Sequence, residues 1–448
     1  MGIGSYVPLA FDPILAFYAV PLLVVWTVYL GVRKKLDARS RSTQAEAKEA
    51  GLTEPASLHP LIDPVTCLGC GACVRACPEV ANGHPVLGMI DDKAELIEPA
   101  SCIGHGACKA ACPTGAITLV FGTETRGVEL PIVKPDFQTN VPGLFIAGEL
   151  GGMGLIRNAI EQGRQAMDSI KAVCAGGAPA GDMLDVVIVG AGPAGFSASL
   201  GALSHKLKFV TLEQDSFGGT VGHFPRGKLV MTAPAMLPLI GRMQFREVSK
   251  ETLMAFWHDA LKKTGLKIRY GERVESVARQ GAGFIVKSTA GSYQARCVLL
   301  TIGRRGTPRK LEVPGEEQSK VVYRLIDAEQ YRGQHVVVVG GGDSALEAAA
   351  SIAEEPGTSV TLSYRSEAFG RAKQKNRQRV DAAVKAGSLT VMLKSKIKSI
   401  GEKDILIDHD GKKLEQKNDA VIVCAGGILP TAFLKSCGID VETKYGTA

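Results

Sequence analysis

The sequence predicts an α/β fold in which two doubly wound, parallel-sheet units follow a small α+β module and one long apolar helix. Three observations carry this reading. Two runs of β-branched residues, DVVIVGAGPAGFSAS from Asp185 and HVVVVGGGDSALEAA from His335, break at a glycine-rich turn and resume as an apolar helix. Seven of the 11 cysteines fall in two short runs between residues 67 and 112. Residues 14–32 carry no charge, and Arg33, Lys34 and Lys35 follow at once.

The 448 residues suit about three domains. The net charge of +7 is mild, and part of it sits in residues 365–379, a run that reads equally well as a solvated helix face. No nucleic-acid-binding module is visible.

The apolar run comes first in the chain. About 20 such residues cross a bilayer as a helix. Tyr6, Trp26 and Tyr29 suit its interfaces or last turns. A cleavable leader would place its basic residues before the apolar run and small residues after it, the opposite of what stands here. Residues 1–33 are therefore expected to be a single-pass membrane anchor. The basic residues at 33–35 put Met1 outside and everything later in the cytoplasm. Residues 34–58, polar and Ala-rich, read as a helical or loose stalk.

The cysteine runs share one spacing. Cys67, Cys70, Cys73 and Cys77 precede Pro78, and Cys102, Cys108 and Cys112 precede Pro113. Each cysteine of the second run lies 35 positions after its partner in the first, and His105 stands at the position of Cys70. This is the C-x2-C-x2-C-x3-C-P pattern written twice, and residues 59–122 thereby resemble bacterial-type two-cluster ferredoxins. Zinc sites rarely use a triple run ending in C-P, and disulfides do not suit a cytosolic nucleotide-binding chain. The resemblance implies two iron–sulfur clusters of the 4Fe-4S kind, with the fourth cysteine of each run serving the other cluster. One cluster then belongs to Cys67, Cys70, Cys73 and Cys112, the other to Cys102, Cys108 and Cys77. His105 as the fourth ligand of the second cluster, or as a bystander to a three-iron cluster, stays open.

Each glycine turn has the strand–turn–helix context of a Rossmann-like unit. Gly190, Gly192 and Gly195, with Pro193 and Ala194 between them, form the first turn. Gly340 and Gly342, followed by Asp343, Ser344 and Ala345, form the second. Such glycines let a pyrophosphate approach the N–H groups of a helix start. The ends of the following strands separate the two sites. Glu213 suits the ribose hydroxyls of FAD. Ser363 leaves room for a 2′-phosphate that Arg365 and Arg371 would pair with, so the second turn is expected to take NADP in preference to NAD.

These residues make the chain resemble flavoproteins of the thioredoxin reductase type. VLLTIGRRGTP (298–308) and AVIVCAGGILPT (420–431) look like that family's linker strands between its FAD and NAD(P) domains. GGTVGHFPRGKLVMTAP (218–234), with Gly218 and Thr220, looks like the isoalloxazine-facing stretch of bacilliredoxin-reductase-like members. The family ends on a T-x-V-P-G-L-F-x-A-G-D strand and a helix that covers the flavin. Here that motif is TNVPGLFIAGELGG (139–152), with Gly148 and with Glu149 for the usual Asp, and it precedes the first glycine turn. The order implies a circular permutation. Glu149 is then expected by the ribityl chain, residues 155–167 as the covering helix, and Ala448 beside residues 123–128. The implied divisions are 123–175 for the permuted piece of the FAD domain, 183–310 for its main part, 311–428 for the NAD(P) domain and 429–448 for the return.

Two departures bear on chemistry. The C-x-x-C of thioredoxin reductases has no counterpart before the second turn, and Ala194 stands where bacilliredoxin-reductase-like chains carry Cys. Cys174, Cys297, Cys424 and Cys437 form no C-x-x-C and read as packing residues. The analogy is then to thioredoxin-reductase-like ferredoxin–NADP reductases. The expected function is a membrane-anchored FAD and iron–sulfur oxidoreductase exchanging electrons between NAD(P)H and a one-electron partner: a ferredoxin, a cytochrome or a quinone-linked membrane complex. No side chain is assigned a catalytic role, since FAD and the clusters carry the chemistry. A low-molecular-weight thiol or disulfide reductase, and a fixed subunit of a larger membrane complex, are the alternatives. Homodimer formation is left open.

Overall fold

The structure, a computed structural model, describes residues 13–49, 53, 55, 58–81, 85–102, 104–124, 127–152, 154–175, 181–370 and 372–446. Chain contacts divide it into two units, one comprising the N-terminal helix with residues 59–119 and the other running from residue 120 to the end.

In the first unit a single helix runs from Pro13 to Glu49. Its apolar half is exposed, with Leu22 at 69% and Trp26 at 64%. The helix does not stop at the basic residues. Its polar half lies along the hairpin formed by strands Leu87–Ile90 and Lys93–Leu96. Met89 N–H donates to Ser40 Oγ at 3.2 Å, Asp91 N–H to Asp37 Oδ2 at 2.8 Å, and Gln44 to Glu95 at 2.9 Å. Arg33 pairs with Asp92 at 2.6 Å, and Arg41 pairs with Asp91. Gly88 allows the approach, because a Cβ there would meet Ser40 Oγ at 2.6 Å. Residues 34–49 of the expected stalk are thus a docked helix.

The 35-residue repeat is visible in the backbone. Gly69 and Gly104 share φ values of 69° and 70°, and Gly71 and Gly106 share 66° and 80°. Each pair leads into a short helix, Ala72–Ala76 or Ala107–Ala111. Each helix ends at an extended cysteine, Cys77 or Cys112. A left-handed glycine before a one-turn helix reverses the chain sharply, so three thiols of one run converge.

The second unit holds two large sheets, one of six strands and one of five. In the first, strands Leu184–Val189 and Phe209–Leu212 run parallel, and Ser292–Leu300 lies parallel on the other side of Leu184–Val189. Strand Leu144–Ile146 joins in parallel register, Leu144 against Val298 and Ile146 against Leu300. A segment that precedes the first glycine turn in sequence is therefore part of that turn's own sheet. Its following helix, Ile156–Cys174, packs Ala159, Ala166 and Met167 against Ala194, Ala198 and Ala202 of helix Pro193–Ser204. Small residues on both faces bring the two helices close. The second sheet has five parallel strands in the order Val321–Val322, Ala420–Val423, His335–Val339, Ser359–Ser363, Leu389–Met392. The last strand, Val441–Lys444, returns antiparallel to Val128–Pro131. Ala448 lies outside the described residues.

Candidate functional site

The thiols of the first unit line two cavities. Cys67, Cys70, Cys73 and Cys112 border one, and Cys77, Cys102, Cys108 and His105 border the other. The fourth cysteine of each run faces the cavity of the other run. Aliphatic side chains fill the remaining walls, among them Ile62, Ala94 and Ile117 in the first and Val86, Leu87 and Leu119 in the second. Among the described residues, no three Cys, His, Asp or Glu side chains close on a single ion position. Thiols spread around an apolar space suit a multi-iron cluster rather than one tetrahedral ion.

The electrostatics of these thiols follow from burial. It pushes Cys102 up to about 11 and lifts Cys73, Cys77 and Cys108 above the ordinary thiol value. Cys112 is lowered, because the Thr114 hydroxyl at 3.6 Å hydrogen-bonds its sulfur. Bound iron would offset the thiolate charge that burial opposes at these four cysteines.

The first glycine turn is built tightly. Gly190 has φ 102°, and a Cβ on Gly195 would lie 1.9 Å from the Gly190 carbonyl oxygen. The Thr301 hydroxyl donates to the Val189 and Gly190 carbonyls at 2.8 and 3.0 Å, fixing the turn from the neighbouring strand. Glu213, buried at the end of its strand, accepts from Ala191 N–H at 2.7 Å and from Asp215 N–H at 3.0 Å. Pro193 opens the helix after the turn. Gly218 (φ 93°) and Gly219 close over the turn, where a Cβ on Gly219 would meet Gly192 Cα at 3.0 Å. Thr220 follows them in the same loop. This cradle, with glycines at 190, 192 and 195 and a buried carboxylate at its end, fits the pyrophosphate and ribose of FAD.

Gly148 and Glu149 come to the same turn. A Cβ on Gly148 would lie 2.9 Å from Ala194 Cβ, and the Gly148 N–H donates to Gln162 Oε1 at 2.8 Å. Burial pushes the Glu149 carboxyl up, and Arg305 and Arg304 pull it partly back. The helix expected over 155–167 begins at Ile156 and extends to Cys174.

At the second turn Gly340 (φ 146°) and Gly342 lead into helix Asp343–Ala353. Asp343 is half-buried at the start of that helix. Its Oδ1 accepts from Lys373 N–H at 2.8 Å and from Asn376 at 2.7 Å. Ser344 follows it in the helix's first turn. The Ser363 hydroxyl is buried against Ser395 Oγ at 2.7 Å. Arg365 is exposed and makes no ion pair among the described residues. Arg371 lies outside the described residues. Tyr364 stacks on Phe369 at 5.6 Å and lies over Gly341, where a Cβ would meet its ring at 2.3 Å.

Residues 187–447 match the pyridine nucleotide-disulphide oxidoreductase family. The chain belongs to that family. Residues 59–113 match a 4Fe-4S dicluster domain. Among curated relatives, the chain is 30% identical over 188 residues to a ferredoxin–NADP reductase of Ignicoccus hospitalis, which covers 40% of this chain and 60% of the relative. It is 25% identical over 169 residues to the bacilliredoxin reductase Bdr of Bacillus subtilis, covering 37% and 52%. The chain thus spans about half to three fifths of the length of these relatives. A solved bacillithiol disulfide reductase from Bacillus cereus aligns over 57% of this chain and 81% of its own, at 24% identity and a TM-score of 0.49.

The family name speaks of disulphides, so the remaining cysteines bear on chemistry. Cys174 and Cys297 lie side by side, a pairing invisible in sequence because 122 residues separate them. Both are buried, at 7% and 0% exposure. Cys297 stands opposite Val186, four residues short of Gly190, which is about 13 Å along a strand. The neighbouring thiol and burial keep Cys297 protonated. Cys424, whose carbonyl touches Gly340, is pushed up to about 12 by burial. None of these thiols is placed as an exchange dithiol at the first glycine turn.

Sequence reasoning passed over several residues that shape this family member's site. Thr301 and Gln162 hold the first turn and Tyr364 covers the second. Past Glu213, His223 Nε2 meets Asp215 Oδ2 at 3.1 Å, and Arg324 meets the same carboxylate at 3.2 Å. Burial, and then Arg324, lower the His223 pKa. The same loop reaches the second sheet's domain through Lys228, which pairs with Glu347 of helix Asp343–Ala353. Thr301, Arg324 and Lys228 are polar side chains whose partners lie more than 100 residues away, and no local spacing announces them.

Proposed function

We propose that the protein is an NAD(P)H-dependent FAD and iron–sulfur oxidoreductase that exchanges electrons with a one-electron partner. The observation that carries this is the joining, in one chain, of two dinucleotide-type turns with seven thiols around two cavities. Bound FAD would supply the exchange between a two-electron donor and single-electron carriers. The chain's residues bind and orient. Gly190, Gly192 and Gly195 with Glu213 would hold FAD, and Gly148, Glu149 and the start of helix Ile156–Cys174 would border it. Gly340 and Gly342 with Arg365 would hold NADPH in preference to NADH. Cys67, Cys70, Cys73 and Cys112 would ligate one cluster. Cys77, Cys102 and Cys108, with His105, would ligate the other.

The FAD domain is read as circularly permuted. Strand Leu144–Ile146 in its sheet, and the return of Val441–Lys444 to Val128–Pro131, support this. Residues 14–32 are read as crossing a membrane once, with Met1 outside and everything after Arg33 on the cytoplasmic side. The length and apolar exposure of the helix support the span. A ferredoxin or a membrane electron-transfer complex is the partner this arrangement suits. The burial of Cys174 and Cys297 and the Ala194 position weigh against a thiol reductase.

Anaerobic titration with NADPH, followed by visible and EPR spectra, tests the proposal. Bleaching of a flavin band followed by EPR signals from reduced clusters is expected. Flavin reduction with no cluster signal, in protein that contains iron, would separate the two modules and overturn the proposed electron route.

A further inference from the structure

We propose that the Cys67–Cys70 loop rests on the bilayer surface, so that the cavity of Cys67, Cys70, Cys73 and Cys112 is the membrane-facing one. The inference rests on the reading of residues 14–32 as a membrane span and adds to it an orientation for the module.

The helix Pro13–Glu49 leaves its apolar half without a break and carries the module on its polar half. The contacts rise along it in order. Arg33, the first charged residue after the apolar run, pairs with Asp92 and lies 3.8 Å from where a Gly69 Cβ would be. Asp37 takes Asp91, Ser40 takes Met89, and Gln44 takes Glu95. Ala47 packs with Ala100, two residues before Cys102. From Arg33 to Ala47 the helix rises about 21 Å. The hairpin therefore stands along the helix with its turn, residues 91–92, toward the apolar end.

The two cavities follow the same axis. Ala94, beside the turn, lines the first cavity, while Val86 and Leu87, at the far end of the hairpin, line the second. Lys93 Nζ donates to the Cys67 carbonyl at 2.6 Å, tying the first loop to the turn.

The loop's surface suits headgroups and upper acyl chains. Val65 is 89% exposed and Leu68 73%, on either side of Cys67, and Cys70 is exposed. Two largely exposed apolar side chains on a tight loop gain by entering the interface. The acidic residues at the turn are largely offset, since Arg33 pairs with Asp92 and Arg41 is shared by Asp91 and Asp37.

Tryptophan fluorescence tests the placement in the full-length holoprotein, reconstituted in vesicles of phosphatidylcholine and phosphatidylglycerol with or without bromine on the acyl chains near the headgroup. The chain has two tryptophans, of which Trp257 is wholly buried and serves as a constant background. Trp26 reports the span, read with bromine deep in the acyl chain. In a Trp26→Phe chain, Val65→Trp and Leu68→Trp each add a reporter on the loop. Val80→Trp adds one beside Pro78 and Glu79 at the second cavity. Iron content is measured for each. Shallow bromine is expected to quench the added emission of Val65→Trp or Leu68→Trp by about twofold and to leave Val80→Trp unchanged. Quenching of Trp26 with neither loop reporter quenched, or with Val80→Trp quenched instead, overturns this inference and leaves the span standing. No quenching of Trp26 overturns the membrane reading and this inference with it.

Discussion

Lys444 stands opposite Val128 in an antiparallel pair, and two residues on the Gly446 N–H reaches the Phe121 carbonyl at 2.8 Å. The last described strand therefore ends beside the segment that leads into strand Leu144–Ile146 and helix Ile156–Cys174. Asn140 adds a second tie, donating to the Gly438 carbonyl at 2.9 Å and accepting from the Asp440 N–H at 3.0 Å. Chain ends that meet in space can be joined and recut elsewhere at little cost to packing, because every strand keeps its neighbours. That is the physical content of reading residues 123–175 as the displaced end of the FAD domain.

Gly148→Val probes this reading. Gly148 has φ 83°, and its Cβ would press on Ala194 of the first glycine turn. The left-handed backbone costs a side-chain-bearing residue about 1–2 kcal/mol, and overpacking adds about 1–3 kcal/mol. Purified protein should carry less than about half the normal FAD per chain, measured by absorbance after release. Full flavin occupancy in a folded variant would leave residues 139–152 as a spacer.

Glu149 gives a pH signature. Burial raises its carboxyl pKa in the folded state. Its contribution to stability is thus fully present below the ordinary carboxylate value of 4.5 and is lost as pH rises through the raised folded value. Glu149→Gln removes the titration. The melting temperature of the variant should fall less between pH 4 and pH 8 than that of the parent, and should exceed it at the alkaline end. Parallel melting curves across that range would show that Arg304 and Arg305 fully compensate the charge.

How much of this was readable in sequence depends on how local each determinant is. The two thiol runs and two glycine turns are chain-local, since neighbouring residues make the whole loop, so spacing alone located them. Strand Leu144–Ile146 could be placed only through a motif's resemblance, because its partners Val298–Leu300 lie more than 150 residues away. The expected helix over 155–167 was too short: it runs to Cys174, with Ile170 and Cys174 still buried in the core that holds Ala194 and Ala198, and the turn formers Gly176, Gly177 and Pro179 that follow in sequence mark the later end. The stalk read as helical or loose because, apart from local pairs such as Asp37–Arg41, the partners of its side chains are distant in sequence. Asp91 and Asp92, which take up Arg41 and Arg33, sit 50 or more residues later. Cys174 beside Cys297 is the same case in the core.

The nicotinamide preference turns on Arg365. Ser363 offers no carboxylate to a ribose, since its hydroxyl is turned inward to Ser395, and Arg365 is exposed with no ion pair among the described residues. A charge-assisted hydrogen bond to a 2′-phosphate is worth about 1.5–3 kcal/mol, or roughly tenfold to 150-fold in affinity. Arg365→Ala should weaken NADPH binding by that factor and NADH binding by less than about twofold, read by equilibrium titration. Equal losses would show that Arg365 does not read the phosphate.

The second cavity holds three cysteines and His105, where the first holds four cysteines. If the imidazole ligates iron, it brings no charge where a thiolate brings one, so the reduced, more negative cluster is less destabilised and the potential is higher. His105→Cys restores the fourth thiolate and should lower that cluster's potential while keeping iron and sulfide content. His105→Ala should reduce iron content, or convert one EPR signal to that of a three-iron centre. The first cavity provides the internal control, because its ligands are untouched and its signal and potential should not move. A His105→Ala protein with unchanged iron and both signals intact would make the imidazole a bystander and the second cluster a three-thiolate site. A His105→Cys protein with an unmoved potential would point the same way, since an added thiolate that does not bind iron adds no charge to the cluster.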